Sequence, residues 1–251
     1  MGETLNQFVK RVRLERALFF MSHTPKRTLT EIALDCGFSS SSDFSRNFKQ
    51  RYGMSASAFD LDPFRAEKRS MLQDSVESQG GGYRLDPLPV GENPYGFEVT
   101  FRTLPTRTVA YIRVLDPYSD GERVTAAIQR LLAWADARGV ADHQWLGYMW
   151  EDPTIVELTD CCYEIGVVVD DVQPEGEIGR VHFPAMRVAE IEMHGGIELE
   201  MRALDWLWGS WLPRSGYIPI DQPGFEAFIG RPIAGSMENF ALRLQLPVKR
   251  G

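Results

Sequence analysis

Three cysteines in 251 residues, Cys36, Cys161 and Cys162, are too few for a disulfide framework, and no Cys/His group falls at zinc-finger spacing. They read as reduced, small, apolar residues, and the adjacent Cys161 and Cys162 have no third ligand nearby to hold a soft metal. Histidine is scarce as well. His23, His143, His182 and His194 are scattered, so none is nominated as a catalyst or metal ligand. No run of about 18 apolar residues occurs, so no membrane-spanning helix is expected. A charged leader followed by an apolar stretch is also missing from the N-terminus. The expectation is a cytoplasmic globular protein with no membrane partner, no cofactor and no metal, long enough for one large domain or two unequal ones.

The overall charge of -8 hides an asymmetry. Residues 1–70 hold 12 Lys/Arg against 8 Asp/Glu, while the remainder holds 15 against 27. A basic segment on an acidic body points to a polyanionic partner for the first part and a different kind of partner for the second. Periodicity fades between Ala66 and Gly96, where Gly80-Gly81-Gly82 and then Pro87, Pro89 and Pro94 read as an interdomain linker. The expected division is therefore 1–65, a linker at 66–96, and 97–249.

The larger segment repeats itself. Val109–Val114 is a strand-like run followed by a helical stretch from Glu122 to Arg138, and Val188–Met193 is followed by Ile197–Leu212, about 80 positions later. Each copy continues with two further strand candidates, Trp145–Trp150 and Tyr163–Val169 in the first, Phe225–Ile229 and Phe240–Pro247 in the second. The fold class is α+β: a small all-α segment followed by a duplicated strand-helix-strand-strand domain. Such modules can pair their sheets around a shared cleft, a natural place for a ligand.

In the basic segment, Thr4 and Gln7 have capping-box spacing and open an amphipathic helix carrying Leu5, Phe8, Val12, Leu18 and Met21. Thr28 and Glu31 repeat that spacing ahead of Ile32, Ala33 and Leu34. Gly37 supplies a sharp turn, and Ser39-Ser40 caps a third helix running to about Tyr52. Two short helices about a glycine turn make a helix-turn-helix; an ordinary helical hairpin has the same pattern. In the third helix Phe44, Phe48 and Tyr52 recur every four residues as core, leaving Ser41, Ser42, Asp43, Ser45, Arg46 and Lys49 outward. That division suits a helix reading the major groove of double-stranded DNA. Arg46 is the candidate for a guanine edge, and Ser41 and Ser42 for several bases. Lys26, Arg27, Lys49 and Arg51 are candidates for phosphates. Asp43 either accepts from a cytosine amino group or caps its own helix.

These residues carry a resemblance. Arg13-Leu14-Glu15-Arg16-Ala17, Ile32 through Ser40, Phe44 through Lys49 and Tyr52-Gly53-Met54-Ser55 resemble the AraC family of transcription regulators over residues 2–59. The family joins two helix-turn-helix units by a long helix, and this chain starts at that helix and holds the second unit. Met1 is then either an internal methionine of a longer frame or the start of a genuinely short form.

Residues 97–249 resemble the GyrI-like, SHS2-type effector-binding domains. The resemblance rests on Leu104-Pro105, Arg107 through Arg113, Leu146-Gly147-Tyr148 leading to Asp152-Pro153, Phe225 through Phe228, and Leu244 through Val248. It implies a cleft between the two modules that accepts hydrophobic, often cationic, small molecules, and it places Glu226 at the acidic position of that pocket. Strand alternation alone puts Glu226 opposite Phe225 and equally allows a surface glutamate on an edge strand. Tyr148 and Trp150 share a strand face and, with Tyr111, are candidates for an aromatic wall that would attract a cation; the plain alternative is core. Trp206 and Trp211 lie on a helix that mostly packs on the sheet and can close one end of the cleft. Glu190 and Glu192 fit a strand with one solvated face.

The function expected is a ligand-responsive, DNA-binding regulator that also contacts RNA polymerase. Two rivals come with the same family. One is a hydrolase of reactive compounds with Glu226 as general base, for which the sequence shows no second acid at a diagnostic spacing. The other is a protein-binding, antitoxin-like module, which requires an exposed acidic face.

Overall fold

The computed structural model describes residues 3–24, 26–78, 86, 88–89, 91–232 and 239–251, which fall into two compact units. The first unit comprises Met1–Ser70 together with Asp152–Val156, and the second comprises Met71–Glu151 with Glu157–Gly251. No helix among the described residues is long and apolar enough to cross a membrane.

In the first unit α1 spans Leu5–His23, α2 Leu29–Asp35, α3 Ser41–Tyr52, and α4 starts at Leu61 and runs to Ser78. Both expected capping boxes form: Thr4 with Gln7 and Thr28 with Glu31 exchange side-chain and backbone hydrogen bonds. Ser40 caps α3 by accepting from the Asp43 amide. Gly37 turns the chain between α2 and α3 at φ +83°, a left-handed conformation in which a side chain is strained. The Phe38 amide then bonds back to the Ala33 carbonyl at 3.0 Å and ties off the end of α2. Phe44, Phe48 and Tyr52 form the expected row, with ring centroids 5.4 and 4.7 Å apart, and Phe59 closes on Phe48 at 5.3 Å.

Two expectations shift here. The buried side of α1 is Leu14, Ala17, Leu18 and Phe20, whereas Leu5, Phe8 and Val12 are exposed. The apolar residues of α1 are too widely spread for periodicity to choose the face that meets α2 and α3. The stretch from Ala66 onward is helical to Ser78 as the end of α4, so residues 66–78 are not linker. The sequence between Arg65 and Ser78 has no glycine or proline and only four apolar residues, Ala66, Met71, Leu72 and Val76, a sparse pattern that a helix accepts as readily as a linker does. The Gly80-Gly81-Gly82 and Pro87 signals lie outside the described residues.

In the second unit the strands are β1 (Thr100–Leu104), β2 (Arg107–Leu115), β3 (Trp145–Met149), β4 (Cys162–Val169), β5 (Gly179–Phe183), β6 (Met186–Gly195), β7 (Tyr217–Pro219), β8 (Gly224–Phe228) and β9 (Phe240–Arg250). Two helices accompany them, α5 (Glu122–Asp136) and α6 (Ile197–Trp206), the latter continued by a π-helical turn at Leu207–Trp211. The antiparallel sheet runs β1-β6-β9-β8-β3-β4-β2-β5, with β7 added to β9. The duplication is β2-α5-β3-β4 followed by β6-α6-β8-β9.

Register makes the duplication exact for the strands that share a central row. Ile112, Gly147 and Ile165 pair across the first repeat as Ile191, Glu226 and Leu244 do across the second, each residue 79 positions before its equivalent. The equivalence extends to charge. Arg113 on β2 bonds Glu164 on β4 at 2.7 Å, and at the equivalent places Glu192 on β6 accepts from Arg243 on β9 at 2.9 Å, with the signs exchanged. The repeats meet where β3 pairs with β8, with Gly147 directly opposite Glu226.

The two sheet faces are covered differently. One face carries α5, with a core of Ala110, Ile112, Leu131, Trp145 and Ile165, and α6, with a core of Ile191, Ala203, Leu207, Leu242 and Leu244. On the other, Val109, Leu146, Tyr148, Phe183, Val188 and Phe225 form a third cluster. Burying each large side chain of these clusters contributes about 1.5–3 kcal/mol.

Candidate functional site

On the helix-bearing face the row that crosses the sheet reads Ile112, Ile165, Gly147, Glu226, Leu244, Ile191. Glu226 thus stands in an apolar row at the seam between the repeats, and Phe228, two residues on, packs against the cores of both. Glu226 and Phe228 are half-buried as whole residues. Tyr163 on β4 donates its hydroxyl hydrogen to Glu226 Oε2 at 2.6 Å. Gly147 makes that bond possible: a Cβ there would lie 2.0 Å from Tyr163 Oη and 2.3 Å from Glu226 Oε2.

A second acid completes the centre. Glu200, on α6 and buried, lies near enough to Glu226 for the two carboxyls to act on one another. Burial raises the pKa of both acids, and for Glu200 the neighbouring Glu226 charge raises it further. Burial also holds the Tyr163 phenol well above its ordinary value, followed by the Glu226 charge. No Lys, Arg or His among the described residues pairs with either carboxyl. The sequence reading missed Glu200, Tyr163 and Gly147. Glu200 did leave a signal: with Ala203 and Leu207 it forms the i, i+3, i+7 stripe that α6 buries, and a charged residue on a buried stripe calls for a partner.

The expected aromatic wall is not beside Glu226. Strand alternation puts Tyr111 and Tyr148 on the opposite face, together with Glu164 and Phe225, because Tyr148 pairs with Glu164 and Phe225 while Gly147 pairs with Ile165 and Glu226. Tyr148 is buried, with Phe183 at 5.3 Å and Phe225 at 5.9 Å, and Tyr111 lies edge-on to it at 6.5 Å. Trp150 stacks on Phe183 at 6.1 Å with nearly half its surface exposed. This face has its own acid: Glu164 is buried, accepts from Arg113, and is pushed up to about 7 by burial. The hydroxyl of Tyr148 and Oε2 of Glu164 find no hydrogen-bond partner among the described residues.

The tryptophans do share the helix-bearing face with Glu226. Trp206 is core against Phe97, and Trp211 is half-buried beside Phe101 and Tyr217. Glu190 corrects another expectation, since it is buried rather than solvated. It accepts from Gln245 Nε2 at 2.7 Å and meets Arg102 at 3.2 Å, while Glu192 remains exposed. A cavity of about 400 Å³ lined by Trp134, Arg138, His143 and Glu175 lies at one end of α5 and includes none of the expected site residues.

In the helical unit α3 presents Ser41, Ser42, Arg46 and Lys49 to solvent and buries Phe44, Asn47 and Phe48, the division expected. Asp43 is neither a free acceptor nor the cap. It sits in the first turn, accepts from Ser39, Arg46 and Asn47, and is held below its ordinary range chiefly by the Ser39 hydrogen bond. Arg46 bonds Asp43 at 2.8 Å yet leaves most of its side chain in solvent. Lys26 is exposed, whereas Arg27 pairs with Asp35 and lies over the Phe20 ring at 5.3 Å.

Residues 97–249 match the family described as the GyrI-like small molecule binding domain, and residues 1–61 match a helix-turn-helix domain. Among solved structures, the chain is similar in fold to EcmrR in a cryo-EM complex with DNA. The TM-score is 0.52 at 15% identity, covering 100% of this chain and 86% of that one. It also matches SAV2435 bound to tetraphenylphosphonium, with 12% identity, TM-score 0.44, and 61% and 94% of the two chains covered. A third match is a hydrolase from Listeria innocua, with 14% identity, TM-score 0.43, and 61% and 92% covered. The chain carries a helix-turn-helix domain over residues 1–61 and belongs to the GyrI-like small-molecule-binding family.

Proposed function

We propose that the chain is a one-component regulator in which a hydrophobic cation binds at the seam of the two repeats, over Glu226, and alters promoter binding by α3. The observation that carries this reading is the half-buried Glu226 carboxyl, set in an apolar row with no basic partner among the described residues. A carboxyl held out of water without a countercharge is costly, and an organic cation with an apolar body supplies both the charge and the cover. The half-buried rings of Phe228, Trp208 and Trp211 offer apolar contact on the same face. Tyr111, Tyr148 and Trp150 belong to the other face and have no part in this site.

On the DNA side, Ser41, Ser42 and Arg46 are proposed to read base edges and Lys26 and Lys49 to meet phosphates. The likeness to EcmrR, described in complex with DNA, supports that partner, and contact with RNA polymerase is part of the same proposal. Thermal-shift titration with tetraphenylphosphonium should raise the melting temperature of the wild type by mass action, and Glu226→Gln should remove most of that rise. An unchanged shift in the variant would overturn the role of Glu226. Arg46→Ala should cost about 1–3 kcal/mol of specific promoter binding and relax specificity at one base pair; full-strength binding would refute the reading of α3.

A second reading, hydrolysis of a reactive small molecule, is favoured by one feature, the contact between Glu200 and Glu226. Two carboxyls with different environments can divide acid and base roles. Turnover of a strained electrophile that is lost in Glu226→Gln would establish it.

A further inference from the structure

Connectivity dictates the shape of the sheet. In the strand order β1 and β2 stand six spacings apart, about 29 Å if the sheet were flat. Pro105 and Thr106 are all that joins them, so the Cα atoms of Leu104 and Arg107 lie no more than about 11 Å apart. Pro184 and Ala185 impose the same limit on β5 and β6, which also stand near opposite edges. The sheet must therefore curl until its edges approach. Its inner face is the helix-free one: a single apolar cluster there takes Leu104 from β1, Phe183 from β5, Met186 from β6, and Tyr148 and Phe225 from the centre. The polar groups on this face are left over. Across β1 to β9, the buried side-chain atoms with no hydrogen-bond partner are Arg107 Nε and Nη2, Tyr148 Oη, Glu164 Oε2 and Gln245 Oε1 among the described residues. Register places all of them on the inner face.

Arg107 is the most costly of these to leave unpaired. It is 8% exposed, and its guanidinium lies over the rings of Phe225 at 4.6 Å and Phe183 at 5.9 Å. Burial lowers its pKa to about 10, no neighbouring carboxylate offsets the shift, and the group stays charged at neutral pH. Ring faces attract the plane of a guanidinium and leave its N–H edge unused. Nε and Nη2 share one such edge, and their two parallel N–H groups match the two oxygens of a carboxylate. We propose that the inner face of the curled sheet binds a monocarboxylate with an apolar body, its oxygens held by the Nε–Nη2 edge of Arg107 and its body against Phe183 and Phe225. One guanidinium among hydrocarbon neighbours balances one negative charge, which suits a carboxylate and not a phosphate dianion. Arg107 and Phe183 pair directly, each one residue inside an exposed connection, so the carboxylate reaches Arg107 from the rim of the sheet. This site lies on the opposite face from Glu226 and prefers the opposite charge, so it stands independently of the effector reading above.

The test is titration of the full chain with 2-naphthoate and with its uncharged analogue 2-naphthamide at about pH 7.5, where the acid is ionised. Melting temperature and calorimetric affinity are the readouts. Naphthoate should raise the melting temperature and bind at least about tenfold more tightly than the amide. Arg107→Met keeps an apolar stem and removes the fork, so it should abolish that preference. Arg107→Lys keeps the charge without the fork and should bind naphthoate more weakly than the wild type while still preferring it to the amide. Equal binding of acid and amide, no binding of naphthoate up to about 5 mM, or an undiminished preference in Arg107→Met would overturn the inference. Inorganic phosphate stabilising the chain as much as naphthoate does would overturn it as well, because the apolar body would then count for nothing. Should the variants fail to fold by circular dichroism, the comparison of acid, amide and phosphate on the wild type decides alone.

Discussion

Gly147→Ala places a single methyl where the geometry has no room for one. The added carbon would sit 2.0 Å from Tyr163 Oη, 2.8 Å from Tyr163 Cζ and 2.3 Å from Glu226 Oε2, so both side chains must move and their 2.6 Å hydrogen bond is lost. Losing a hydrogen bond to a charged group costs about 1.5–3 kcal/mol, and forcing a methyl into a packed site about 1–3 kcal/mol. Against this, alanine in a strand gains about 0.5–1 kcal/mol over glycine. The net expectation is a loss of about 2–4 kcal/mol, a fall of about 5–15 °C in melting temperature for a chain of this size. Scanning calorimetry with circular dichroism measures it. Gly209→Ala is the control, since nothing lies within 4 Å of its added Cβ and the site is helical; it should be neutral or stabilising. In a Tyr163→Phe background the cost of Gly147→Ala should shrink by about 1 kcal/mol, because the closest clash is gone. Strict additivity of the two substitutions, or a fall under about 2 °C for Gly147→Ala alone, would refute the account of the seam.

Glu164 predicts a pH effect on stability. Its pKa is raised to about 7 in the folded chain from an ordinary 4.5, so its contribution is complete below the lower value and is lost as pH rises through the upper one. Melting temperature should therefore decline between about pH 4.5 and 7, and Glu164→Gln should flatten that decline; an unaltered slope would show that the acid titrates normally. Phe48→Ala should cost about 3–5 kcal/mol and dissolve the helical unit, because the ring is fully buried and touches Phe44, Tyr52 and Phe59. Near-native helicity by circular dichroism with retained DNA binding would contradict it.

The architecture was legible in the sequence because each part announced itself through a short-range rule. Capping boxes at Thr4 and Thr28 and the turn at Gly37 need only residues within four positions of one another. The duplication was visible because strand length and apolar content repeat at a fixed offset. Strands β1, β5 and β7 escaped notice: each is short, and two of them flank the repeats as added edges rather than forming part of the repeated pattern. The site was only partly legible for a related reason. Alternation correctly set Glu226 against Phe225, but whether Tyr148 joined one or the other depends on the register between β3 and β8, and a shift of one residue reverses the answer. Register is fixed by tertiary packing, which no window along the chain contains. Glu200 is further still from local detection, since it reaches Glu226 only because α6 crosses back over the sheet.

Duplication itself explains why the sheet contributes one acid to the seam rather than two facing each other. Gly147 and Glu226 are equivalent positions of the two repeats and also directly opposed across β3 and β8, so the pseudo-two-fold axis passes between them. Had both repeats kept the same residue, two glutamates would face each other across a single strand spacing, and like charges placed directly opposite are destabilising. Two glycines would leave no acid on the sheet at the seam. The asymmetric pair resolves this: the second repeat contributes the carboxyl, and the first contributes the space it needs. The same asymmetry recurs at Tyr163, whose equivalent in the second repeat is Leu242, so that one repeat donates the hydroxyl and the other closes the core. With the tyrosine on one side and Glu200 from α6 on the other, the Glu226 carboxyl is oriented by both repeats. A change in the angle between the repeats must therefore alter its contacts, which couples the Glu226 carboxyl to the packing of the two repeats.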